Sequence, residues 1–289
     1  MDGTHGTEGG PRGPVGPRGR IGPTRLDLSR FEAILLDLDG TIYHEDHPLP
    51  GAVDFVRALQ RAGRRYACLS NSISSPDKLA ARLRTMGLDV PSALIYTAAV
   101  AAADYVVSHY PGRPRVFNLA SRSMATLLDG RVDWVVDERQ ACEVVMAGGP
   151  SGDMAGEDRQ RVALELLRAG ASLVGLCADR VFPSPRGIEF GAGAMTAMLA
   201  YAANVVPVFC GKPEPLFFLD LCARLGVSAS NCALIGDNLE SDVAGARRVG
   251  MTSILVLSGV ARAADVAAHD DAYRPDYVVE SLVDAAAWI

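Results

Sequence analysis

Residues 33–41 constrain the fold of this chain more than any other segment. They read AILLDLDGT, so a short apolar run ends in Asp37 and Asp39, which are one residue apart. A run of this length predicts a buried strand, in which side chains two residues apart share a face. Gly40 lets the chain turn sharply just after the strand. Because two neighbouring carboxylates are costly without a cation or a shared proton, the segment predicts a divalent-metal site with a carboxylate nucleophile beside it.

Apolar runs alternate with helical patterns along the rest of the chain, which is typical of an α/β fold with a parallel sheet. Runs such as residues 144–146 lack polar alternation, as expected for strands buried on both faces. The segments whose polar residues suit catalysis lie before residue 75 and after residue 211. The residues between them show no comparable catalytic motif. We therefore predict a catalytic core formed by residues 25–96 and 205–289, with an α/β cap domain inserted at residues 97–204.

Residues 1–24 differ from the rest of the chain. Glycine recurs at every third position from residue 10 to residue 22, with proline interleaved. Such a segment cannot bury a core, so we predict a disordered Gly/Pro-rich tail.

The composition excludes several classes of protein. A net charge of −6 does not fit the basic surface of a nucleic-acid-binding protein. No apolar stretch reaches the roughly 18 residues of a membrane span. The six cysteines lack metal-ligand spacing and fit reduced, mostly buried thiols. We predict a cytoplasmic protein that binds neither nucleic acid nor membranes.

The two aspartates suit a displacement at phosphorus. Asp37, at the end of the strand, can attack phosphorus and form an acyl-phosphate, which divides one difficult displacement into two easier ones. Asp39 can protonate the leaving oxygen and later accept a proton from water. The alternative is a solvated turn, which a D-x-D sequence alone would favour. The apolar strand before the pair and the Gly-Thr after it favour catalysis.

Polar residues also follow two other predicted strands. Ser70, Asn71 and Ser72 can hold a phosphoryl group through side chains and turn N–H groups. Small polar residues at this place also suit a helix N-cap or an ST-turn. Lys212, in a Gly-Lys-Pro sequence between a strand and a helix, can neutralise a nucleophile and a phosphate. The alternative is an ordinary surface lysine, but the chain has few lysines and the flanking residues fix the backbone.

Residues 234–242 repeat the pattern of a strand followed by an acid. Asp237 follows an apolar strand that ends in glycine, so it can ligate a hard cation. Asp242 can support that cation indirectly, by orienting the groups that bind it. Alternatively, it can simply cap the helix that it opens. Together with Asp37 and Asp39, these acids form an oxygen-rich set that suits Mg²⁺.

Three common alternatives lack their sequence signatures. The chain has no G-x-x-x-x-G-K-[ST] loop for nucleoside triphosphates, no G-x-S-x-G nucleophile elbow and no histidine pair at metal-binding spacing. The four segments together therefore favour phosphoryl transfer at a carboxylate.

In this order, the four segments resemble the motifs of the haloacid dehalogenase superfamily. The first motif is DLDGT at residues 37–41, and the second centres on Ser70. The third centres on Lys212, and the fourth is residues 236–242. The resemblance covers about residues 31–289 and leaves out the N-terminal tail.

Within that superfamily, the chain resembles the subfamily of the phosphatase NagD and the 4-nitrophenyl phosphatases. The segments that carry this resemblance are residues 39–43 (DGTIY), 211–213 (GKP), 257–260 (LSGV), 275–279 (PDYVV) and the cap segment 182–194. The resemblance implies a Rossmann-like, doubly wound core with a large α/β cap inserted between the second and third motifs. It also implies Mg²⁺ bound by Asp37, the backbone carbonyl of Asp39 and Asp237, and a homodimer that forms through the cap.

The sequence departs from the subfamily at two places. The usual T-N-N after the second strand is S-N-S at residues 70–72, which keeps the first hydroxyl. The cap loop that usually reads A-T-N-x-D is residues 175–179, where Cys177 replaces the asparagine and Asp179 is retained. That loop faces the substrate in the family, so Asp179 and Arg180 are candidates for contact with the leaving group. Arg180 also fits an ordinary surface charge.

The sequence thus predicts a Mg²⁺-dependent phosphatase that hydrolyses small phosphomonoesters through an aspartyl-phosphate intermediate. Sugar phosphates, glycerol phosphate and nucleotides all suit the predicted site. One alternative is a catalytically silent protein that binds a phosphorylated ligand on the same scaffold. Another is a phosphotransferase, in which an acceptor other than water takes the phosphoryl group.

Overall fold

The computed structural model describes residues 26–149, 154–184 and 187–289. Its strands, in chain order, are β1 (Ala33–Asp37), β2 (Tyr43–His44), β3 (His47–Pro48), β4 (Tyr66–Ser70), β5 (Ile95–Thr97), β6 (Arg115–Leu119), β7 (Asp133–Trp134), β8 (Val144–Ala147), β9 (Ser172–Gly175), β10 (Val181–Ser184), β11 (Gly187–Phe190), β12 (Val208–Phe209), β13 (Cys232–Gly236), β14 (Thr252–Val256) and β15 (Tyr277–Val279). Its α-helices are α1 (Ala52–Arg61), α2 (Pro76–Thr85), α3 (Ala98–His109), α4 (Arg122–Leu127), α5 (Glu157–Arg168), α6 (Ala192–Ala203), α7 (Pro215–Leu225), α8 (Ala244–Arg248), α9 (Ala263–Ala268) and α10 (Leu282–Ala285). Residues 1–24, predicted as a disordered tail, lie outside the described residues. Within the described ranges, no helix is long and apolar enough to cross a membrane.

Six strands form a parallel sheet in the order β15-β14-β13-β1-β4-β5. β1 lies inside this sheet, where Leu35 pairs with Leu234 of β13 on one side and with Ala67 of β4 on the other. All five residues of β1 are buried, as the lack of polar alternation in its apolar run predicts. The prediction of an α/β fold with a doubly wound parallel-sheet core is confirmed.

The direction in which the chain adds strands reverses at β1. The chain passes from β1 to β4 and β5 on one side of the sheet, and later adds β13, β14 and β15 on the other. The carboxyl ends of β1, β4 and β13 therefore meet at a topological switch point, where open α/β sheets bind ligands. Asp37, Ser70 and Asp237 all lie at or just after these strand ends.

Helix α7 follows the segment that carries Lys212 and anchors it to the core. The helix begins at Pro215. Proline suits the first turn because a backbone N–H at that position would have no carbonyl partner within the helix. The helix ends at Leu225 and is capped by Gly226, whose φ of 64° is left-handed. Phe217 and Phe218 are fully buried in the apolar cluster beneath the sheet. Burying each of these side chains contributes about 1.5–3 kcal/mol to stability.

Five further strands form a second parallel sheet in the order β12-β9-β8-β6-β7. An apolar cluster that includes Val145, Leu166 of α5 and Leu199 of α6 covers one face. Val144, on the neighbouring position of β8, belongs to a different cluster, which also contains Leu69 of β4. Apolar packing is therefore continuous between the second sheet and the first.

The second sheet extends past the predicted end of the cap. The prediction assigned residues 205–289 to the core, but β12 pairs with β9 of the second sheet. An isolated apolar run indicates that a strand forms and does not indicate which sheet it joins, so only strand pairing locates this boundary. The division into a core and an inserted cap domain stays a prediction in other respects.

A short antiparallel hairpin, β2–β3, follows the turn at Gly40. Arg82 of α2 holds this hairpin by donating to the Glu45 carbonyl at 2.7 Å and to Asp46 Oδ1 at 3.1 Å. The Arg82 guanidinium also lies 4.6 Å from the centre of the Tyr43 ring. These contacts keep the segment after Asp39 against the core.

Candidate active site

A buried lysine joins two carboxylates at the carboxyl edge of the core sheet. Lys212 Nζ donates to Asp37 Oδ1 at 2.5 Å and to Asp242 Oδ1 at 2.7 Å. The three side chains are at most 6% exposed, so solvent screens their charges little. Burial alone would lower the pKa of Lys212, but the carboxylates of Asp242 and Asp37 outweigh burial and raise that pKa. Lys212 is therefore a fixed ammonium group beside the candidate nucleophile.

Asp37 is the last residue of β1, and each of its carboxylate oxygens accepts a hydrogen bond. Oδ1 accepts from Lys212, and Oδ2 accepts from the Thr41 hydroxyl at 3.3 Å. Burial raises the pKa of Asp37, and Lys212 opposes that rise. The two donors orient the carboxylate at the edge of the sheet.

Asp237 follows β13 and lies in a space that two glycines keep open. Its Oδ2 accepts the Val260 N–H at 2.6 Å. A Cβ at either Gly40 or Gly259 would collide with the Asp237 carboxylate. Gly40 also has a φ of 80°, which favours glycine. Burial, reinforced by the neighbouring carboxylates, raises the pKa of Asp237 well above its usual range.

Asp242 lies in a π-helical turn, Leu239–Val243, and its carboxylate contacts Lys212. The helix cap is Asn238 instead, since its side chain accepts two backbone N–H groups of that turn. Asp242 Oδ2 accepts the Asn238 N–H at 3.2 Å. Burial raises the pKa of Asp242 to about 6, with Lys212 acting in the opposite direction. Capping, the alternative considered for Asp242, is therefore the role of Asn238.

The three carboxylates form a cluster that suits a hard divalent cation. Asp37, Asp237 and Asp242 each place an oxygen within 4.8 Å of the other two. When ionised, they carry three negative charges, of which Lys212 balances one. Burial raises the pKa of all three, so a bound cation would favour their ionised forms. Carboxylate oxygens are preferred ligands of Mg²⁺ and Ca²⁺, so the donor set fits the predicted cofactor.

We expect Mg²⁺ to stabilise the protein against thermal unfolding by binding at this cluster. A cation present at 100 times its dissociation constant adds about 2.7 kcal/mol to the free energy of unfolding. Scanning fluorimetry would record the addition as a rise in Tm. Asp237→Asn should abolish this rise and should itself raise the Tm of the metal-free protein, because it removes a carboxyl group whose ionised form is destabilised by burial. Asp54→Asn, on the exposed face of α1, is the matched control and should change neither quantity. A full Mg²⁺ shift in Asp237→Asn would contradict this site.

Asp39 lies outside the three-carboxylate cluster. Its side chain is 58% exposed, and its Oδ1 is 3.8 Å from His44 Nδ1 on the β2–β3 hairpin. Desolvation by the surrounding protein raises the pKa of Asp39, while His44 and Arg82 oppose the rise. A partly exposed carboxyl group with a raised pKa suits proton exchange with a substrate. Metal contact through the Asp39 backbone carbonyl, which the resemblance implies, stays a prediction.

The hydroxyls of Ser70 and Ser72 close local turns after β4. Ser70 Oγ accepts the Ser72 N–H at 3.1 Å, and Ser72 Oγ accepts the Ser74 N–H at 3.1 Å. These contacts are those of ST-turns, the alternative considered from the sequence. Each hydroxyl still has a hydrogen to donate, so contact with a phosphoryl oxygen is compatible with the turns and stays a prediction.

Protein groups engage the side-chain amide of Asn71, and contact of this residue with the substrate stays a prediction. Its Oδ1 accepts the Lys212 N–H at 2.8 Å, and its Nδ2 donates to the Lys212 carbonyl at 3.1 Å. Nδ2 also donates to Asp179 Oδ1 at 3.0 Å. The side chain therefore holds the backbone of the buried lysine, a role that the sequence pattern did not indicate.

The loop after β9 contacts the core through both predicted cap residues. Asp179 accepts from Asn71, as above, and burial raises the pKa of its carboxyl group. Arg180 Nη2 lies 3.3 Å from Glu240 Oε2, with the two side chains 82% and 61% exposed. A pair this exposed contributes at most about 1 kcal/mol and matches the surface-charge alternative for Arg180. Contact of either residue with a leaving group stays a prediction.

Three supporting groups were not assigned from the sequence. They are the Thr41 hydroxyl on Asp37, the Ser258 hydroxyl that donates to the Gly40 carbonyl at 3.0 Å, and the Val260 N–H on Asp237. The LSGV segment after β14 resembles the subfamily, but it contains no titratable side chain. A backbone donor leaves no signature of its own in a sequence, so its role was visible only in the fold.

Comparison with known proteins identifies the family. Residues 34–131 match a family model described as haloacid dehalogenase-like hydrolase, and residues 209–285 match one described as HAD-hydrolase-like. The chain belongs to the haloacid dehalogenase superfamily. The first match contains Asp37, Asp39 and Ser70, and the second contains Lys212 and Asp237.

Several similar members of this haloacid dehalogenase superfamily carry the names of phosphatases. An acid sugar phosphatase of Staphylococcus aureus is 29% identical over 261 residues, which cover 90% of this chain and 98% of that protein. The structure of a 4-nitrophenylphosphatase from Thermotoga maritima matches with a TM-score of 0.82 and 29% identity, covering 90% of this chain and 97% of that one. A glycerol phosphate phosphatase from Mycobacterium tuberculosis, in complex with magnesium, matches with a TM-score of 0.81 and 28% identity, covering 89% and 77%. Within the superfamily, the chain belongs to the NagD-like subfamily.

Proposed function

We propose that this NagD-like protein is a Mg²⁺-dependent phosphatase that hydrolyses phosphomonoesters of small metabolites. The observation that carries the proposal is the Asp37–Lys212 ion pair, buried at the switch point of the sheet beside two further carboxylates. Similarity to acid sugar, 4-nitrophenyl and glycerol phosphate phosphatases supports the proposal. Sugar phosphates, glycerol phosphate and nucleotides are the proposed substrate classes. We place the reaction in the cytoplasm, where the free thiols would stay reduced.

In the first step, a carboxylate oxygen of Asp37 attacks the phosphorus atom. The bond from phosphorus to the leaving oxygen breaks as the bond to Asp37 forms, which gives an aspartyl-phosphate. An anionic nucleophile repels an anionic phosphate, and the Lys212 ammonium beside Asp37 reduces that repulsion. Mg²⁺ bound by Asp37, Asp237 and the backbone carbonyl of Asp39, with Asp242 in support, would supply further positive charge at the same place.

Asp39 is the proposed general acid and base. It donates its proton to the leaving oxygen in the first step, so the product leaves as an alcohol. In the second step, the Asp39 carboxylate accepts a proton from the water that attacks phosphorus. The bond between phosphorus and Asp37 then breaks, which releases phosphate and restores the Asp37 carboxylate. Ser70 and Ser72 are proposed to donate their hydroxyl hydrogens to the phosphoryl oxygens.

The test is phosphate release by the purified full-length chain from 4-nitrophenyl phosphate and a panel of sugar phosphates, glycerol phosphate and nucleoside monophosphates. We expect Mg²⁺-dependent release that stops when EDTA is added. Tight binding of a phosphate ester without turnover would instead identify a silent binding protein. Transfer to a non-water acceptor in preference to water would identify a phosphotransferase.

Asp39→Asn should separate the two chemical steps. 4-Nitrophenolate leaves without protonation, so this variant should still form the aspartyl-phosphate and release a burst of about one nitrophenolate per active site. The second step lacks its base, so steady turnover should fall by about 10²–10⁴-fold. Rapid-quench measurement of nitrophenolate and of hydroxylamine-sensitive phosphate on the protein would record both effects. Slow turnover without any burst would contradict the role proposed for Asp39.

A further inference from the structure

The cap loop reaches the buried lysine through a single asparagine. Lys212 lies between β12 and α7, outside any strand, so its backbone needs other partners. Asn71 bonds both the N–H and the carbonyl of Lys212, at 2.8 Å and 3.1 Å. The other N–H of the Asn71 amide donates to Asp179 Oδ1 at 3.0 Å. A carboxylate on the loop after β9 is thus connected to the residue that carries the ammonium group.

These hydrogen bonds together select one orientation of the Asn71 amide. An amide side chain offers one oxygen acceptor and two N–H donors. Rotation by half a turn would place donor against donor at the Lys212 N–H, and acceptor against acceptor at the Lys212 carbonyl and at Asp179. The bond to the Asp179 carboxylate is charge-assisted and therefore stronger than one between neutral groups. Asp179 thereby favours the orientation that holds Lys212.

Packing around Gly211 keeps the same three segments in contact. A Cβ at Gly211 would lie 2.6 Å from Asn71 Oδ1 and 2.8 Å from Cys177 Cβ. The Cys177 thiol donates to Asp179 Oδ2 at 3.3 Å, so both carboxylate oxygens of Asp179 are held. The segment before Lys212, the turn after β4 and the loop after β9 therefore meet where there is no space for another side chain.

We propose that Asp179 is a positioning residue that acts through Asn71 on Lys212, so that the position of the cap loop sets the position of the ammonium group. The inference rests on the proposed function, in which Lys212 offsets the charge of Asp37. When the loop after β9 withdraws, Asn71 loses its charged partner and the Lys212 backbone is held less firmly. The Lys212 ammonium group is then held in its position beside Asp37 only when the cap loop lies against the core.

The chain allows a direct measurement, because Lys78 and Lys212 are its only lysines. Labelling with ¹⁵N-lysine gives two backbone amide resonances in the NMR spectrum of the full chain, and Lys78, exposed on α2, serves as the internal reference. Asp179→Ala should shift or broaden the Lys212 resonance and leave that of Lys78 unchanged. Asp179→Asn keeps an oxygen acceptor for Asn71 and should restore most of the wild-type position.

The matched control is Ser121→Ala. Ser121 lies between β6 of the second sheet and α4, and its hydroxyl donates to the Ile73 carbonyl at 2.9 Å. This is another contact between the part of the chain that forms the second sheet and the turn after β4. Its loss removes a hydrogen bond of similar length without touching Asn71, so the Lys212 resonance should not move. If Asp179→Ala does not fold, Asp179→Ser serves as the truncated variant.

Kinetics supply the second measurement. Asp179→Ala should lower kcat about tenfold, the loss expected for one hydrogen bond, with little change in KM. The loss should be the same for 4-nitrophenyl phosphate and for an alkyl phosphate, because Lys212 contacts the nucleophile Asp37 and not the leaving group. Asp179→Asn should recover most of kcat.

An unmoved Lys212 resonance in Asp179→Ala would overturn the inference, as would a rate loss confined to one leaving group. The second result would show that Asp179 contacts the leaving group instead. If the wild-type chain releases phosphate from no ester, the proposed function fails, while the NMR comparison still tests the link between Asp179 and Lys212.

Discussion

Phosphate release should fall by at least about a thousandfold when Asp37 is replaced by asparagine. The amide keeps the size of the side chain and can still accept a hydrogen bond from Lys212 through its oxygen. It cannot serve as the carboxylate nucleophile, so the aspartyl-phosphate does not form. The measurement is kcat for 4-nitrophenyl phosphate at saturating Mg²⁺, together with the Tm as a check that the variant is folded.

Two comparisons make the Asp37→Asn result specific to nucleophilic attack. Asp54→Asn, on the exposed surface of α1, makes the same chemical change away from the site and should retain full activity. The wild-type protein, quenched during turnover, should carry acid-stable phosphate that hydroxylamine removes, and Asp37→Asn should carry none. An Asp37→Asn variant that keeps more than a tenth of the wild-type rate would show that water, or another side chain, attacks phosphorus directly.

The second large effect is expected on stability, from Lys212→Met. Methionine retains an unbranched side chain but removes the charge that Asp37 and Asp242 both contact. Buried carboxylates that lose their cation destabilise a fold by about 3–5 kcal/mol. Chemical denaturation in EDTA would measure this loss in the free energy of unfolding, and kcat should fall as well. Lys78→Met, at the only other lysine of the chain, is exposed on α2 and should have little effect on either quantity.

The stability loss of Lys212→Met should depend on pH in a defined direction. Burial already raises the pKa of Asp37 and of Asp242, and removal of Lys212 removes the charge that opposes that rise. A carboxyl group whose pKa is higher in the folded state binds more protons there than in the unfolded state, so stability falls as pH rises. The deficit should therefore be smaller at about pH 5 than at about pH 8. A deficit that grows on acidification would contradict the assignment of these carboxyl groups.

Several elements of the site could be predicted because their signals are local. The strand that ends in Asp37 and the strand that precedes Asp237 are buried parallel strands, as their apolar runs predict. Their carboxyl ends are adjacent because doubly wound sheets place the first strand next to the strand added after the reversal. The α/β class and the meeting of these two acids therefore follow from patterns a few residues long.

Other features could not be predicted because a short segment does not indicate which distant group will be its partner. Asn71 has the same sequence surroundings whether it binds a phosphate or the Lys212 backbone, and only the fold shows the second. The sequence predicted that Asp242 opens a helix, where it could cap, yet the helical turn begins at Leu239 and Asn238 caps it. β12 reads as a strand in either sheet, and pairing places it in the second.

Side-chain periodicity and strand-end chemistry are properties of neighbouring residues, so the α/β class, the buried strands and the acids at their ends follow from the amino-acid sequence alone. The contact of Lys212 with Asp242 as well as Asp37, and the hold of Asn71 on the backbone of the lysine, could be seen in the folded chain alone. Such contacts depend on how the two sheets pack and on where the connecting segments cross, and the free energy of that packing is spread over the whole core.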